Sequence, residues 1–277
     1  MKELVALIRE SLAEDIGQGD ITTEATIEKD KRCQAWLIAK QDGVLSGMRV
    51  FRKVFEILDA EIQSWEALTD GSRFSMGSKI VGFEGNTRAI LMGERVGLNF
   101  LQHLTGIATY TARFKDAVAG LPVKLCDTRK TMPLMRKLEK EAVVHGGAAN
   151  HRYALFDGVL IKENHITGAG GIRQALEKAV NGTHHLMKIG IEVKNLEEFR
   201  EAMAAEADAI LLDNMSLDEM RTAVELARGT RVILEASGNA TLDRVRAIAE
   251  TGVHIISIGA LTHSAPAVDL SLVIANA

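Results

Sequence analysis

Six apolar runs in the second half of the chain each end in ionisable or polar side chains, and this pattern constrains the fold more than any other feature. The runs are Val123–Cys126, Gly158–Ile161, Met187–Ile191, Ala209–Leu212, Arg231–Leu234 and His254–Ile258. They lead into Asp127-Thr128-Arg129-Lys130, Lys162-Glu163-Asn164-His165, Glu192, Asp213-Asn214, Glu235-Ala236-Ser237-Gly238 and Gly259 respectively. A strand of a buried parallel sheet reads as a near-continuous hydrophobic run. In a β/α barrel the side chains at the C-terminal ends of such strands converge on one mouth, where the chemistry sits. Arg, Lys, His, Glu and Asp gathered there suit a polyanionic substrate and a divalent metal.

The first third has another rhythm. Residues 34–48 and 61–92 mix apolar and polar side chains between turn signals at Asp42-Gly43, Thr69-Asp70-Gly71, Gly77 and Glu84-Gly85-Asn86, which predicts short antiparallel strands. Met48–Leu58 reads as a helix between them, and Met1–Asp15 as an amphipathic one. Near Gly93 a long helix is expected to begin, from Glu94 to about Phe114, with Val96, Leu98, Leu101, Leu104 and Ile107 on its core face. From Leu121 onward, strands alternate with helices at β–α spacing. Helix starts are marked by Asn195, by the capping-box spacing of Ser216 and Glu219, and by Thr241. Six visible strands fall short of the eight of a full barrel, so an incomplete barrel is expected. An open doubly wound sheet is the alternative, although no Gly-x-Gly-x-x-Gly follows a strand.

A net charge of -4 argues against a nucleic-acid-binding field, so any basic patch is local and suits a small anion. Cys33 and Cys126 lack a CxxC arrangement and read as reduced, apolar thiols of a cytoplasmic protein. The N-terminus lacks the apolar stretch of a signal peptide. No uncharged apolar run reaches the roughly 18 residues that span a bilayer.

Asp127-Thr128-Arg129-Lys130-Thr131 is the densest candidate cluster. Its cations and hydroxyls suit a carboxylate or phosphate, and a solvated surface loop is the plainer reading. His151, in Asn150-His151-Arg152, reads equally as a structural hydrogen-bonding residue. Lys162, directly after an apolar run, requires an anionic partner or water. Glu192 and Asp213 either bind Mg²⁺ and steady a developing cation, or cap the helices that follow. Ser237, Gly238 and Gly259 offer backbone N–H groups near late strand ends, where barrels often bind phosphate. His184-His185 has no further ligand at metal-site spacing.

These residues, in this order, resemble the quinolinate phosphoribosyltransferase (carboxylating nicotinate-nucleotide pyrophosphorylase) family along nearly the whole chain. The resemblance runs from Gly19-Asp20-Ile21-Thr22-Thr23 and Glu94-Arg95 through Thr105-Gly106-Ile107 and Asp127-Thr128-Arg129-Lys130-Thr131. It continues with Leu138-Glu139-Lys140, Asn150-His151-Arg152, Leu160-Ile161-Lys162, Leu212-Asp213-Asn214-Met215, Ser237-Gly238 and Thr262-His263-Ser264-Ala265.

The resemblance implies an N-terminal α/β sandwich domain over 1–105 and an incomplete α/β barrel over 106–277, with the tail 265–277 packing on the former. It implies a homodimer that uses PRPP, quinolinate and Mg²⁺. Thr128, Arg129, Lys130, His151, Arg152 and Lys162 are then the anion cluster, and Arg95 reaches across the dimer. Glu192 and Asp213 lie near the ribose and Mg-pyrophosphate, and Ser237, Gly238 and Gly259 form phosphate loops. Lys130, Glu192 and Asp213 take the catalytic roles. The chain departs from the family pattern at Leu134, Glu141, Ala148, Lys194 and Asn239. These departures leave room for a paralogue with another planar acid acceptor, and a non-catalytic ligand-binding barrel is the third reading.

Overall fold

A computed structural model describes residues 2–276. They divide into two units. One takes residues up to Ala112, Met132–Gly147 and the stretch from Ala265; the other takes Arg113–Thr131 and Ala148–Ser264.

The first unit opens with α1 (Lys2–Ile16) and α2 (Ile21–Thr26). Asp20 caps α2 by accepting a hydrogen bond from the Thr23 backbone at 3.0 Å, and bonds from the Thr23 hydroxyl and backbone hold its carboxyl below the usual range. There follow β1 (Arg32–Ala39), β2 (Gly43–Val44), α3 (Met48–Ile57), β3 (Gln63–Ala67), β4 (Arg73–Phe74), β5 (Lys79–Asn86), α4 (Thr87–Ala117) and α5 (Arg136–His145). The unit also takes β12 (Leu270–Asn276), the last strand described. The main sheet has the order β12-β1-β5-β3 with every pair antiparallel, and β12 runs beside β1 from Ala39↔Leu270 to Cys33↔Asn276. The buried face of α3, carrying Met48, Phe51 and Phe55, packs with Leu37, Phe83, Ile90 and Leu101 into one core. The Phe51 and Phe55 rings meet edge to face at 5.0 Å.

Two boundaries differ from the sequence expectation. Glu84-Gly85-Asn86 is no turn: β5 runs through it and α4 starts at once, at Thr87 rather than Glu94. Gly85 is small because a Cβ there would stand 2.6 Å from the Ala60 carbonyl. Gly93 lies inside α4, where its missing side chain admits Phe55 and Leu58. Both glycines mark close packing, which a reading based on chain breaks mistakes for an end.

The second unit carries β6 (Lys124–Cys126), β7 (Val159–Ile161), α6 (Glu163–Ala169), α7 (Ile172–Gly182), β8 (Ile189–Val193), α8 (Leu196–Ala204), β9 (Ala209–Asp213), α9 (Leu217–Leu226), β10 (Ile233–Ser237), α10 (Val245–Ala249), β11 (Ile255–Ser257) and α11 (Ala260–His263). Its six strands are the six apolar runs, with boundaries shifted by up to three residues. They form one parallel sheet in the order β6-β11-β10-β9-β8-β7. β6 and β7 are its edges, so the barrel is incomplete. The Asn195 side chain caps α8, and the Ser216–Glu219 capping box starts α9, as read from the sequence. Thr241 instead opens a turn, and α10 begins only at Val245.

Gly106 tests the packing of the first unit. Gly→Ala inside a helix ordinarily stabilises by about 1 kcal/mol, but here the added Cβ would stand 2.3 Å from the Pro266 carbonyl. Gly106→Ala is expected to lower stability by about 1–3 kcal/mol in urea unfolding. A gain in stability would show that the tail backbone yields there.

Candidate active site

Strand register places the chemistry. In a parallel sheet, paired residues on neighbouring strands point to the same face. Glu192 on β8 and Glu235 on β10 both pair with Leu211 of β9, so the two carboxylates flank one leucine at a single level. One level nearer the mouth, Asp213 pairs with Ser237, and Ser237 with Ser257. All six residues line one open cavity of about 690 Å³ at the C-terminal ends of the strands, a size that suits small-molecule sites.

The cavity is also lined by Thr128, Arg129, Lys130, His151, Arg152, Lys162, Gly238 and Gly259. Every candidate residue of the second unit is therefore brought together. Arg95 lies on α4 in the first unit, exposed, and is not among the lining residues. Sequence reading did not propose Glu235, His263, Asn214 or Asn239, which also line the cavity. Glu235 was findable, because Glu235 and Ser237 share a face of one strand.

Asp127 plays a different part from its neighbours. It is fully buried. Its Oδ1 accepts the His151 backbone N–H at 2.8 Å and its Oδ2 accepts from Asn150 Nδ2 at 2.7 Å. Together with the parallel bridge Cys126↔Ala149, this fastens the Asn150-His151-Arg152 segment to the end of β6. The loop that follows folds on itself: Lys130 N donates to Thr128 Oγ1 at 3.0 Å, and Thr262 Oγ1 donates to the Lys130 carbonyl at 2.7 Å. Gly259 leaves room for the Lys130 stem, which would stand 2.9 Å from a Cβ.

The electrostatics call for an anion. Burial, and then the neighbouring Arg129, push the Arg152 guanidinium below its ordinary value, with Asp157 opposing them. Lys162 Nζ meets Glu192 Oε2 at 2.5 Å, so the strand-end lysine has its anionic partner within the cavity. Neither Glu192 nor Asp213 caps a helix; Asn195 and Ser216 do. Among the described residues no group of three His, Cys, Asp or Glu side chains could hold a metal ion. The Glu192 and Asp213 carboxylates nonetheless fit Mg²⁺ carried by a phosphate ligand, because that ion binds through one or two carboxylates and completes its shell with phosphate oxygens and water.

The profile of the quinolinate phosphoribosyl transferase N-terminal domain matches residues 20–105, and that of the C-terminal domain matches residues 107–273. The chain belongs to the quinolinate phosphoribosyltransferase family. It is 40% identical to a probable carboxylating nicotinate-nucleotide pyrophosphorylase of Bacillus subtilis over 98% of this chain and 93% of that protein. The nicotinate-nucleotide pyrophosphorylase of Francisella tularensis superposes with a TM-score of 0.93 at 42% identity, covering 99% of this chain and 96% of that one. NadC of Streptococcus pyogenes does so with a TM-score of 0.94 at 36% identity, covering 100% and 98%.

The departures of this chain from the family pattern have local explanations. Leu134 and Asn239 both have positive φ (64° and 47°). Asparagine tolerates that region better than other non-glycine residues, whereas leucine bears about 1–2 kcal/mol of strain. Glu141 pairs with Arg49 at 2.9 Å, and Lys194 pairs with Glu163, both in exposed positions. Ala148 directly precedes the bridge residue Ala149.

Gly238 has φ 82°, and a Cβ on it would stand 2.2 Å from Asn214 Oδ1. Gly238→Ala is expected to weaken pyrophosphate binding about tenfold in calorimetry, matching a strain of about 1–2 kcal/mol. Unchanged binding would remove this loop from the anion site.

Proposed function

We propose that this protein transfers the phosphoribosyl group of PRPP to quinolinate with decarboxylation, yielding nicotinate mononucleotide, pyrophosphate and CO2 in de novo NAD biosynthesis. The observation that carries this reading is the pair of neighbouring guanidiniums, Arg129 and Arg152, in a cavity floored by carboxylates. A dianionic aromatic acid supplies the anion that the cations need, and a ribose acquiring positive charge answers the carboxylates. Relatives bearing this activity in their names support it.

In this reading Arg129, Arg152 and Lys162 hold the quinolinate carboxylates, with Thr128 and His151 beside them. Guanidiniums do so as planar forks and Lys162 as a point charge. Binding quinolinate displaces Lys162 from Glu192 and frees that carboxylate for the ribose. The ring nitrogen attacks the ribose carbon bonded to pyrophosphate, and that C–O bond breaks as the C–N bond forms. Glu192 and Asp213 steady the positive charge that develops. Lys130, with the backbone at Ser237, Gly238 and Gly259, receives the phosphates. Glu192 and Asp213 would hold Mg²⁺, which when bound would supply charge neutralisation for the leaving pyrophosphate. The C2–carboxylate bond then breaks as CO2 departs, the quaternised ring nitrogen stabilises the electron pair left at C2, and a proton from solvent completes nicotinate mononucleotide. Most of the rate enhancement comes from positioning. Two free, buried cysteines accord with a cytoplasmic setting.

Purified protein with quinolinate, PRPP and Mg²⁺ is expected to release nicotinate mononucleotide and CO2 in equal amounts, and chelation of Mg²⁺ to stop both. Arg129→Ala and Lys162→Ala are each expected to lower turnover by about 10²-fold or more with the fold retained by circular dichroism. Full activity in either variant would sink these roles. A folded wild-type protein that binds PRPP but leaves quinolinate untouched would point to another planar acid.

In the same reading the working unit is a homodimer in which Arg95 completes the neighbour's site. Arg95→Ala and Lys162→Ala, each inactive alone, are then expected to regain part of the activity when mixed and allowed to exchange subunits. A mixture that stays inactive despite proven exchange would refute the role of Arg95.

A further inference from the structure

The cavity holds one carboxylate that this mechanism leaves unused. Glu235 is only 7% exposed. Its Oε1 is sealed from solvent and has no hydrogen-bond partner among the described residues. Its Oε2 lies 3.4 Å from Nε2 of His151. A carboxylate taken this far from water needs something to offset the desolvation, and His151 is the group presented to it.

The imidazole is held from its other side as well. Nδ1 of His151 lies 2.7 Å from the Arg152 backbone nitrogen. A backbone N–H only donates, so Nδ1 is the acceptor and Nε2, facing Glu235, carries the ring hydrogen. The His151 backbone is fixed by Asp127, and Arg152 Nη1 donates to the Gly158 carbonyl at 2.7 Å. A continuous series of contacts thus links the Glu235 carboxylate to the His151 ring, then to the Arg152 backbone and its anchored guanidinium.

We propose that Glu235 is a positioning residue: it holds His151 as the Nε2–H tautomer and so fixes Arg152 at the carboxylate-binding side of the cavity. The kinetic consequence rests on the quinolinate reading given above. Glu235 then governs the acceptor and leaves PRPP alone. At 3.4 Å the contact is long for a hydrogen bond and works as a charge–dipole contact that favours the ring hydrogen on Nε2.

The test uses the full chain with ¹⁵N-labelled histidine. Long-range ¹H–¹⁵N correlation separates the two tautomers, and the His151 signals are assigned by their loss in His151→Asn. The wild type is expected to show the Nε2–H form alone, and Glu235→Ala a mixture. In Glu235→Ala, KM for quinolinate is expected to rise about tenfold or more, with KM for PRPP within about twofold. Glu235→Gln keeps the shape and an acceptor oxygen, so it restores most of both readouts and serves if the alanine variant fails to fold. A pure Nε2–H signature in Glu235→Ala, or equal losses for both substrates, would overturn the proposal. So would a glutamine variant as impaired as alanine, because charge and not position would then matter. A wild type that ignores quinolinate defeats the functional reading alone, since the tautomer measurement still decides the role of Glu235.

Discussion

An incomplete ring of parallel strands has an edge where a full barrel has a neighbour, and that edge must be closed by other means. At β6 the buried carboxylate of Asp127 does this work. It takes two hydrogen bonds from Asn150 and His151, and so turns an irregular segment into a substitute for a missing strand. The cationic side of the cavity depends on it. Without that tie, Arg129 and Arg152 would belong to two separate loops, and their charges would be ordinary solvated ones.

Strand register supplies the opposite side. Because paired residues share a face, two levels of the sheet deliver three carboxylates and two serines to one cavity wall. Loops bring the cations and strands bring the anions, so the two signs of charge in the site come from separate parts of the fold. The Lys162–Glu192 pair joins the two sets.

How far the sequence revealed all this follows from what each pattern encodes. The six strands were legible because a strand buried on both faces must be apolar throughout. Their ends were not, since Met187 and Lys188 extend an apolar stretch that the structure places before β8, putting Glu192 within the strand. The start of α4 was misplaced because Gly85 and Gly93 serve close packing against Ala60 and Phe55, contacts between segments that no local pattern records. Among the site residues, charged strand-end groups could be listed from order alone. The sequence grouped Asp127 with Arg129 and Lys130 as one cluster, yet its side chain turns inward and theirs line the cavity. Glu235 stood in plain view at a strand end, but its burial and its histidine neighbour depend on a loop from another β–α unit.

The antiparallel sheet of the first unit carries a cost of its own. β1 needs β12 on one flank, and β12 leaves the ribosome after every other strand described here. While the barrel is being made, β1 therefore waits with unpaired N–H and C=O groups along a hydrophobic edge. That pairing closes one of the longest loops the chain contains, which makes it entropically late and slow. The interval between synthesis of β1 and arrival of β12 is when the nascent chain is most exposed to pairing with the wrong neighbour, and growth temperature or chaperone supply, more than final stability, would then set the yield of folded protein.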